Sequence, residues 1–200
     1  MPANKPIWDD AHAQDYIARH SQHPMARAWV KYAELAADDV VLDIGCGDGT
    51  ALEVALPRLT TGHAIGIDPT ALMIARARDR FRDRAGVDVQ QAAAERIPVA
   101  TGAVSLVLAN CAATHFADIR LGLREIYRVL RDGGRLLCIE EDFGGPATGN
   151  LPPDQDMLTS AAQLPELMTR MGFVRMTTQH VREMGTPFTV IRGAIKKITP

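Results

Sequence analysis

Short apolar runs that alternate with helical patterns constrain this 200-residue chain more than any other feature. Val40–Ile44 is followed by Leu52, Val54, Ala55 and Leu56 at helical spacing, and Ala64–Ile67 by Ala71–Ala75. Val87–Val89 is a weak third run, Val104–Ala109 a fourth and Arg135–Ile139 a fifth. Between the last two, Ile119, Leu123, Ile126, Tyr127 and Leu130 predict a helix over about residues 117–130, with Asp132-Gly133-Gly134 as its glycine stop. Unbroken apolar strands separated by helices imply a parallel sheet covered on both faces.

The tail departs from that rhythm. A Gly/Pro-rich loop from Gly144 to Pro153 precedes a predicted helix over about residues 156–171. Phe173–Arg182 and Phe188–Ile195 then read as strands joined by Met184-Gly185-Thr186-Pro187. So short a link forces antiparallel pairing, because a parallel pair needs a crossover. The predicted class is α/β: a doubly wound, mostly parallel, seven-stranded sheet with an antiparallel last hairpin. Two helical stretches lie ahead of it, about residues 9–19 and 24–36. Residues 1–36 are read as an N-terminal helical lid over one domain of residues 37–200.

Lys plus Arg number 22 and Asp plus Glu 24, a net charge of −2, which lacks the footprint of a nucleic-acid or membrane-surface binder. No apolar run reaches the roughly 18 residues of a spanning helix. The N-terminus has no apolar core of a secretory signal. Cys46, Cys111 and Cys138 are too few and too scattered for a disulfide framework or a metal site. A reduced, cytoplasmic protein without a metal is expected.

The sharpest motif is Asp43-Ile44-Gly45-Cys46-Gly47-Asp48-Gly49-Thr50, placed between a strand and a helix. Its glycines permit a tight turn and close approach to a ligand, with N–H groups exposed at the helix start. The dinucleotide fingerprint needs glycine where Thr50 stands. Asp68 follows the second strand, where a carboxylate can bind both hydroxyls of a ribose.

With Gly66-Ile67-Asp68-Pro69-Thr70-Ala71-Leu72-Met73, Glu95-Arg96-Ile97-Pro98 and the stretch Arg124–Gly134, this loop resembles the ordered motifs of class I S-adenosylmethionine-dependent methyltransferases of the small-molecule subgroup. The resemblance runs from about Asp39 to Lys196 and implies methyl transfer from S-adenosylmethionine to a small acceptor. By it, Asp43, Gly45, Cys46, Gly47, Asp68, Pro69 and Met73 bind the cofactor, with Asp68 the acid on the ribose. Ala93, Ala94 and Glu95 fall at the adenine, and Asn110 under the methionine part. Two positions depart from the family: Ala93 replaces an acid that caps the adenine amino group, and Ser105 stands where an Asp is common. Each departure implies weaker cofactor binding unless Glu95 or main-chain groups compensate.

His115 follows the fourth strand, where the family often carries a histidine facing the methyl, and is the expected catalytic base; a helix-cap or packing role is the other reading. Tyr16 and His20, on the leading helices that form the family's lid, are further acceptor-side residues. Trp29 is taken as part of the same lid. Glu140, Glu141 and Asp142 read either as a solvated loop start or as negative potential for a cationic acceptor, with Glu140 assigned to the acceptor. The arginines at positions 76, 78, 80, 82 and 84 read as a solvated face, and Cys46, Cys111 and Cys138 as packing thiols. The partners implied are a small-molecule acceptor and no nucleic acid or membrane, with room for a homodimer. Two other classes stay open: a non-catalytic cofactor-binding protein, and an NAD(P)-dependent dehydrogenase, which Thr50 and Arg131 in place of a Tyr-x-x-x-Lys lysine disfavour.

Overall fold

The structure, a computed structural model, describes residues 23–142 and 160–197 together with Ala11, Gln14, Asp15, Ile17 and Leu158. Its strands are β1 (Val40–Ile44), β2 (His63–Asp68), β3 (Val87–Gln91), β4 (Val104–Asn110), β5 (Leu130–Glu141), β6 (Phe173–Glu183) and β7 (Thr186–Ile195). They form one sheet in the order β3-β2-β1-β4-β5-β7-β6. Pairs from β3 through β5 are parallel, and β7 runs antiparallel to both β5 and β6. The chain winds outward from β1 to β3 and returns to place β4 on the other side of β1. The switch point therefore lies beyond the carboxyl ends of β1 and β4, where such sheets bind ligands.

Helices α1 (Pro24–Ala28), α2 (Thr50–Ala55), α3 (Ala71–Arg80), α4 (Ile119–Val129) and α5 (Leu164–Arg170) cover the sheet. Alternation along the central strand serves both layers. Val107 and Ala109 pack with Ile119, Leu123 and Ile126 of α4, whereas Leu106 and Leu108 pack with Leu52, Ile74 and Trp29. Both faces are covered, which is why β4 reads as an unbroken apolar run.

Three predicted features come out differently. Helix α4 ends at Val129, because Leu130 turns extended (φ −65°, ψ 136°) and enters β5 fully buried. Gly133 and Gly134 are thus no helix stop. They belong to an excursion within β5, whose pairing jumps from Val104↔Leu130 to Leu106↔Arg135. The last hairpin closes through two residues, Met184 (φ 50°) and Gly185 (φ 89°), with Glu183 paired to Thr186.

The third difference concerns residues 24–36, read from sequence as part of a lid. Only Pro24–Ala28 form an α-helix, followed by a 3-10 turn at Trp29–Lys31. Met25 and Trp29 are fully buried, and Trp29 Nε1 donates to the Ala51 carbonyl at 3.1 Å. Arg135 donates to the Ala33 and Glu34 carbonyls, and Arg192 to that of Tyr32. This stretch belongs to the core of the domain. Tyr16 and His20 lie outside the described residues, as do most of residues 1–22 and the loop expected after β5. Of the expected helix over 156–171, the described part is a 3-10 turn at Ala161–Gln163, capped by Ser160, and α5. No helix among the described residues is long and apolar enough to cross a membrane.

Candidate active site

The loop after β1 turns on glycines in the left-handed region. Gly45 (φ 73°) brings the backbone so close to the loop after β4 that a Cβ would sit 2.8 Å from that of Ala112. At Gly49 (φ 85°) a Cβ would lie 2.5 Å from the Phe81 ring. A side chain at either position strains the turn and displaces its neighbour.

Acidic residues complete the loop. Asp68, the last residue of β2, accepts the Gly47 N–H at 3.1 Å and the Thr70 N–H at 2.8 Å. Asp48 Oδ1 accepts both the N–H (3.1 Å) and the hydroxyl (2.7 Å) of Thr50. The expected exposed N–H groups are therefore already used by carboxylates. A pyrophosphate would have to displace two carboxylate acceptors here, so the geometry speaks against the dinucleotide reading. Arg80 also leaves the solvated face assigned to it. It donates to Asp48 Oδ2 at 2.6 Å, to the Asp48 carbonyl and to Glu53, and so fastens α3 to the glycine loop. Nothing in the arginine run marks position 80; only the packing of α3 against this loop selects it.

Asp43 is the electrostatic centre of the site. Its carboxylate is buried, and Oδ2 is the buried side-chain oxygen left without a hydrogen-bond partner among the described residues. Burial, and secondarily the charge of Asp68, push its pKa up to about 8. Burial also raises that of Asp68, against the lowering effect of the Thr70 and Gly47 amides. Two buried carboxylates, one of them with an unpartnered oxygen, are chemically suited to a cationic or hydroxyl-bearing ligand.

The remaining predicted positions divide. Cys46 is buried against Gly66, and burial raises its thiol pKa well above the ordinary value, consistent with packing. Met73 is buried beside Gly47, and the Pro69 carbonyl accepts from Gln91. Ala93 is half-buried in a turn closed by the Arg96 N–H, and Ala94 is buried near Gly122. Glu95 Oε1 accepts the Asp118 N–H at 3.0 Å, so this carboxylate anchors the approach to α4. Ser105 lies at the opposite end of β4 from the site. It donates to Asp39 at 2.6 Å and accepts the Val40 N–H at 2.8 Å, and Asp39 is in turn held by Arg135. The Ser105 departure therefore bears on the sheet's amino edge and not on the cofactor.

Around the carboxyl end of β4, Asn110 donates to the Met25 carbonyl at 3.1 Å. His115 is exposed on the 3-10 turn Ala113–His115, and partial desolvation lowers its pKa. Glu140 is no solvated loop residue. It is buried and accepts the Ala113 N–H at 2.8 Å and the Thr114 hydroxyl at 2.9 Å, holding the turn that carries His115. Burial raises its pKa to about 7, opposed by those hydrogen bonds. With both oxygens engaged, it supports the loop that carries His115. Among the described residues no cluster of His, Cys, Asp and Glu is suited to a metal.

Comparison with known proteins agrees with this geometry. Residues 42–138, from β1 to β5, match the family described as "Methyltransferase domain". The arsenite methyltransferase of Halobacterium salinarum is 31% identical over 131 residues, 64% of this chain and 34% of that protein. The ubiquinone/menaquinone biosynthesis C-methyltransferase UbiE of Rubrivivax gelatinosus is 37% identical over 123 residues, 60% of this chain and 46% of that protein. The chain thus spans between a third and a half of these relatives' length. The solved phosphoethanolamine N-methyltransferase 2 of Haemonchus contortus, in complex with S-adenosyl-L-methionine, superposes with a TM-score of 0.77 at 15% identity, covering 97% of this chain and 59% of that one.

Proposed function

We propose that the chain, whose residues 42–138 match a methyltransferase domain, is a class I S-adenosylmethionine-dependent methyltransferase and transfers a methyl group from S-adenosylmethionine to a small-molecule acceptor. The observation that carries this reading is the buried, unpartnered Oδ2 of Asp43 beside the glycine loop. A cationic α-amino group is the complement that such an oxygen needs. Asp68, whose two oxygens already accept one N–H each, has lone pairs left for ribose hydroxyls. The Ala93–Ala94 turn offers main-chain groups and apolar surface to the adenine. When bound, S-adenosylmethionine supplies an electrophilic methyl on a sulfonium. The chain's own contribution is positioning: the loops after β1 and β4, locked together at Gly45 and Ala112, set the methyl against its acceptor. His115 and Asn110 line the acceptor side. The names of the Halobacterium and Rubrivivax relatives support a small acceptor. The free thiols Cys46, Cys111 and Cys138 support a reducing, cytoplasmic setting.

Calorimetric titration with S-adenosylmethionine and with NAD tests the reading. Binding of the first without the second is the expected result; the reverse would replace the methyltransferase with the dehydrogenase, and cofactor binding with no turnover across an acceptor panel would favour the non-catalytic reading. The affinity should also depend on pH. With Asp43 at about 8, a cation binds the carboxylate and expels its proton. Affinity is therefore expected to rise with pH towards about 8, by at most roughly tenfold per unit, and to level off where the ligand's own amino group, at about 7.7–8.0, loses its charge. Titrations in buffers of different ionisation enthalpy should show proton release below that point. In the ligand-free protein the raised value acts oppositely: the contribution of Asp43 to stability is fully present below about 4 and is lost as pH rises to about 8. Pair-free binding independent of pH would remove Asp43 from the site.

Ala93 brings no side-chain acceptor to the turn, and Glu95 Oε1 already takes the Asp118 N–H. Ala93→Asp is expected to tighten cofactor binding by roughly tenfold, the low end for a hydrogen bond to a charged group. Unchanged or weaker affinity would mean that Glu95 or main-chain groups already satisfy the adenine.

A further inference from the structure

Three of the five residues from Gly45 to Gly49 are glycines, and all three adopt the left-handed backbone (φ 73°, 54° and 85°). Glycine gives up more conformational freedom on ordering than any other residue, so such a loop needs external anchors to stay formed. It has two, one from β2 and one from the end of α3. From β2, the Ile67 carbonyl accepts the Gly45 and Cys46 N–H groups at 2.8 and 3.0 Å, and Asp68 accepts that of Gly47. From α3, its last residue and the one after it close on Asp48 and Gly49. Arg80 Nε donates to the Asp48 carbonyl at 2.8 Å and Nη2 to Asp48 Oδ2 at 2.6 Å, while a Cβ on Gly49 would strike the Phe81 ring. Arg80 Nη1 donates to Glu53 Oε2 at 3.2 Å, in the first turn of the helix into which the loop leads.

One guanidinium thus grips the main chain between two left-handed glycines, the side chain of the same residue and the helix that follows. Its planar fork of donors reaches all three at once, as a lysine's point charge cannot. The β2 anchor includes Asp68, a carboxylate assigned to the cofactor; the α3 anchor contains no group that the cofactor reading uses. We propose that Arg80 is a positioning residue for cofactor binding: it holds the Asp48–Gly49 half of the loop in its binding geometry before the cofactor arrives, and so sets affinity without touching the ligand. The proposal rests on the methyltransferase reading. A site that is formed only part of the time binds with its affinity reduced by that fraction. The reduction falls on association, because the complex, once made, contains the ordered loop.

The test compares the full chain with its Arg80→Ala and Arg76→Ala variants, using S-adenosylhomocysteine as the ligand. Arg76 lies one turn earlier on α3 and lines the same open cleft of about 620 Å³ as Asp48 and Arg80, so its loss removes a charge but not the grip. Arg80→Ala is expected to bind roughly 3- to 30-fold more weakly, through slower association at an unchanged dissociation rate. Arg76→Ala keeps wild-type affinity. The unfolding midpoint of Arg80→Ala should stay close to wild type, because ion pairs this exposed add little to stability. In the ligand-free protein, hydrogen exchange over residues 45–50 should be faster in Arg80→Ala and unchanged in Arg76→Ala. Guanidinium ion at a non-denaturing concentration should fill the space left in Arg80→Ala and restore part of the affinity, which sodium chloride at equal ionic strength should not. Wild-type affinity in Arg80→Ala would overturn the proposal. So would an equal loss in Arg76→Ala, a loss carried by faster dissociation or by a fallen unfolding midpoint, or guanidinium and sodium chloride acting alike. A wild-type protein that binds no S-adenosylhomocysteine sinks the methyltransferase reading itself. The exchange measurement still shows whether Arg80 holds the loop, which separates the two failures.

Discussion

Asp68→Ala is expected to weaken S-adenosylhomocysteine binding by about 1.5–3 kcal/mol, one to two orders of magnitude in affinity. Two effects combine. The ribose hydroxyls lose a charged acceptor, and the Gly47 and Thr70 amides lose the oxygens that shape the loop around them. Asp68→Asn keeps one carbonyl acceptor and should lose less than the alanine variant. Calorimetry on both variants, with circular dichroism to verify folding, measures the effect. Wild-type affinity in Asp68→Ala would place the ribose elsewhere.

A stability effect of similar or larger size is expected at Trp29. The side chain is fully buried among the residues that join α1 and α2 to the sheet, and its Nε1 donates to the Ala51 carbonyl. Trp29→Ala opens a cavity and leaves that carbonyl unpaired, a loss of about 3–5 kcal/mol. Against a total of roughly 5–15 kcal/mol, this is a large share of the fold's margin. Trp29→Phe fills much of the volume and should cost less. Urea denaturation of the three proteins measures the difference. A Trp29→Ala midpoint within error of wild type would return residues 24–36 to the lid in which the sequence pattern had placed them.

The periodicity of the chain by itself determined the layers. Apolar runs without polar interruption had to lie in a sheet covered on both faces, and a short link at Met184 and Gly185 had to reverse the chain. The glycine loop and Asp68 were legible for the same reason, since backbone conformations open mainly to glycine are written residue by residue. What a side chain touches is not local, and only the tertiary structure decided it. Ser105 and Asn110 share one strand, yet the first serves the amino edge of the sheet and the second its carboxyl end. Arg80 differs from its neighbouring arginines in facing Asp48, and Glu95 anchors Asp118 at the start of α4. Glu140 and Glu141 are adjacent and chemically equal. Strand alternation sends one into the core beneath a loop and the other to His23, 118 residues away in sequence (141 − 23). Such pairings depend on strand order and on which face each helix covers. Those follow from the summed burial of the whole chain, a quantity that no single segment carries.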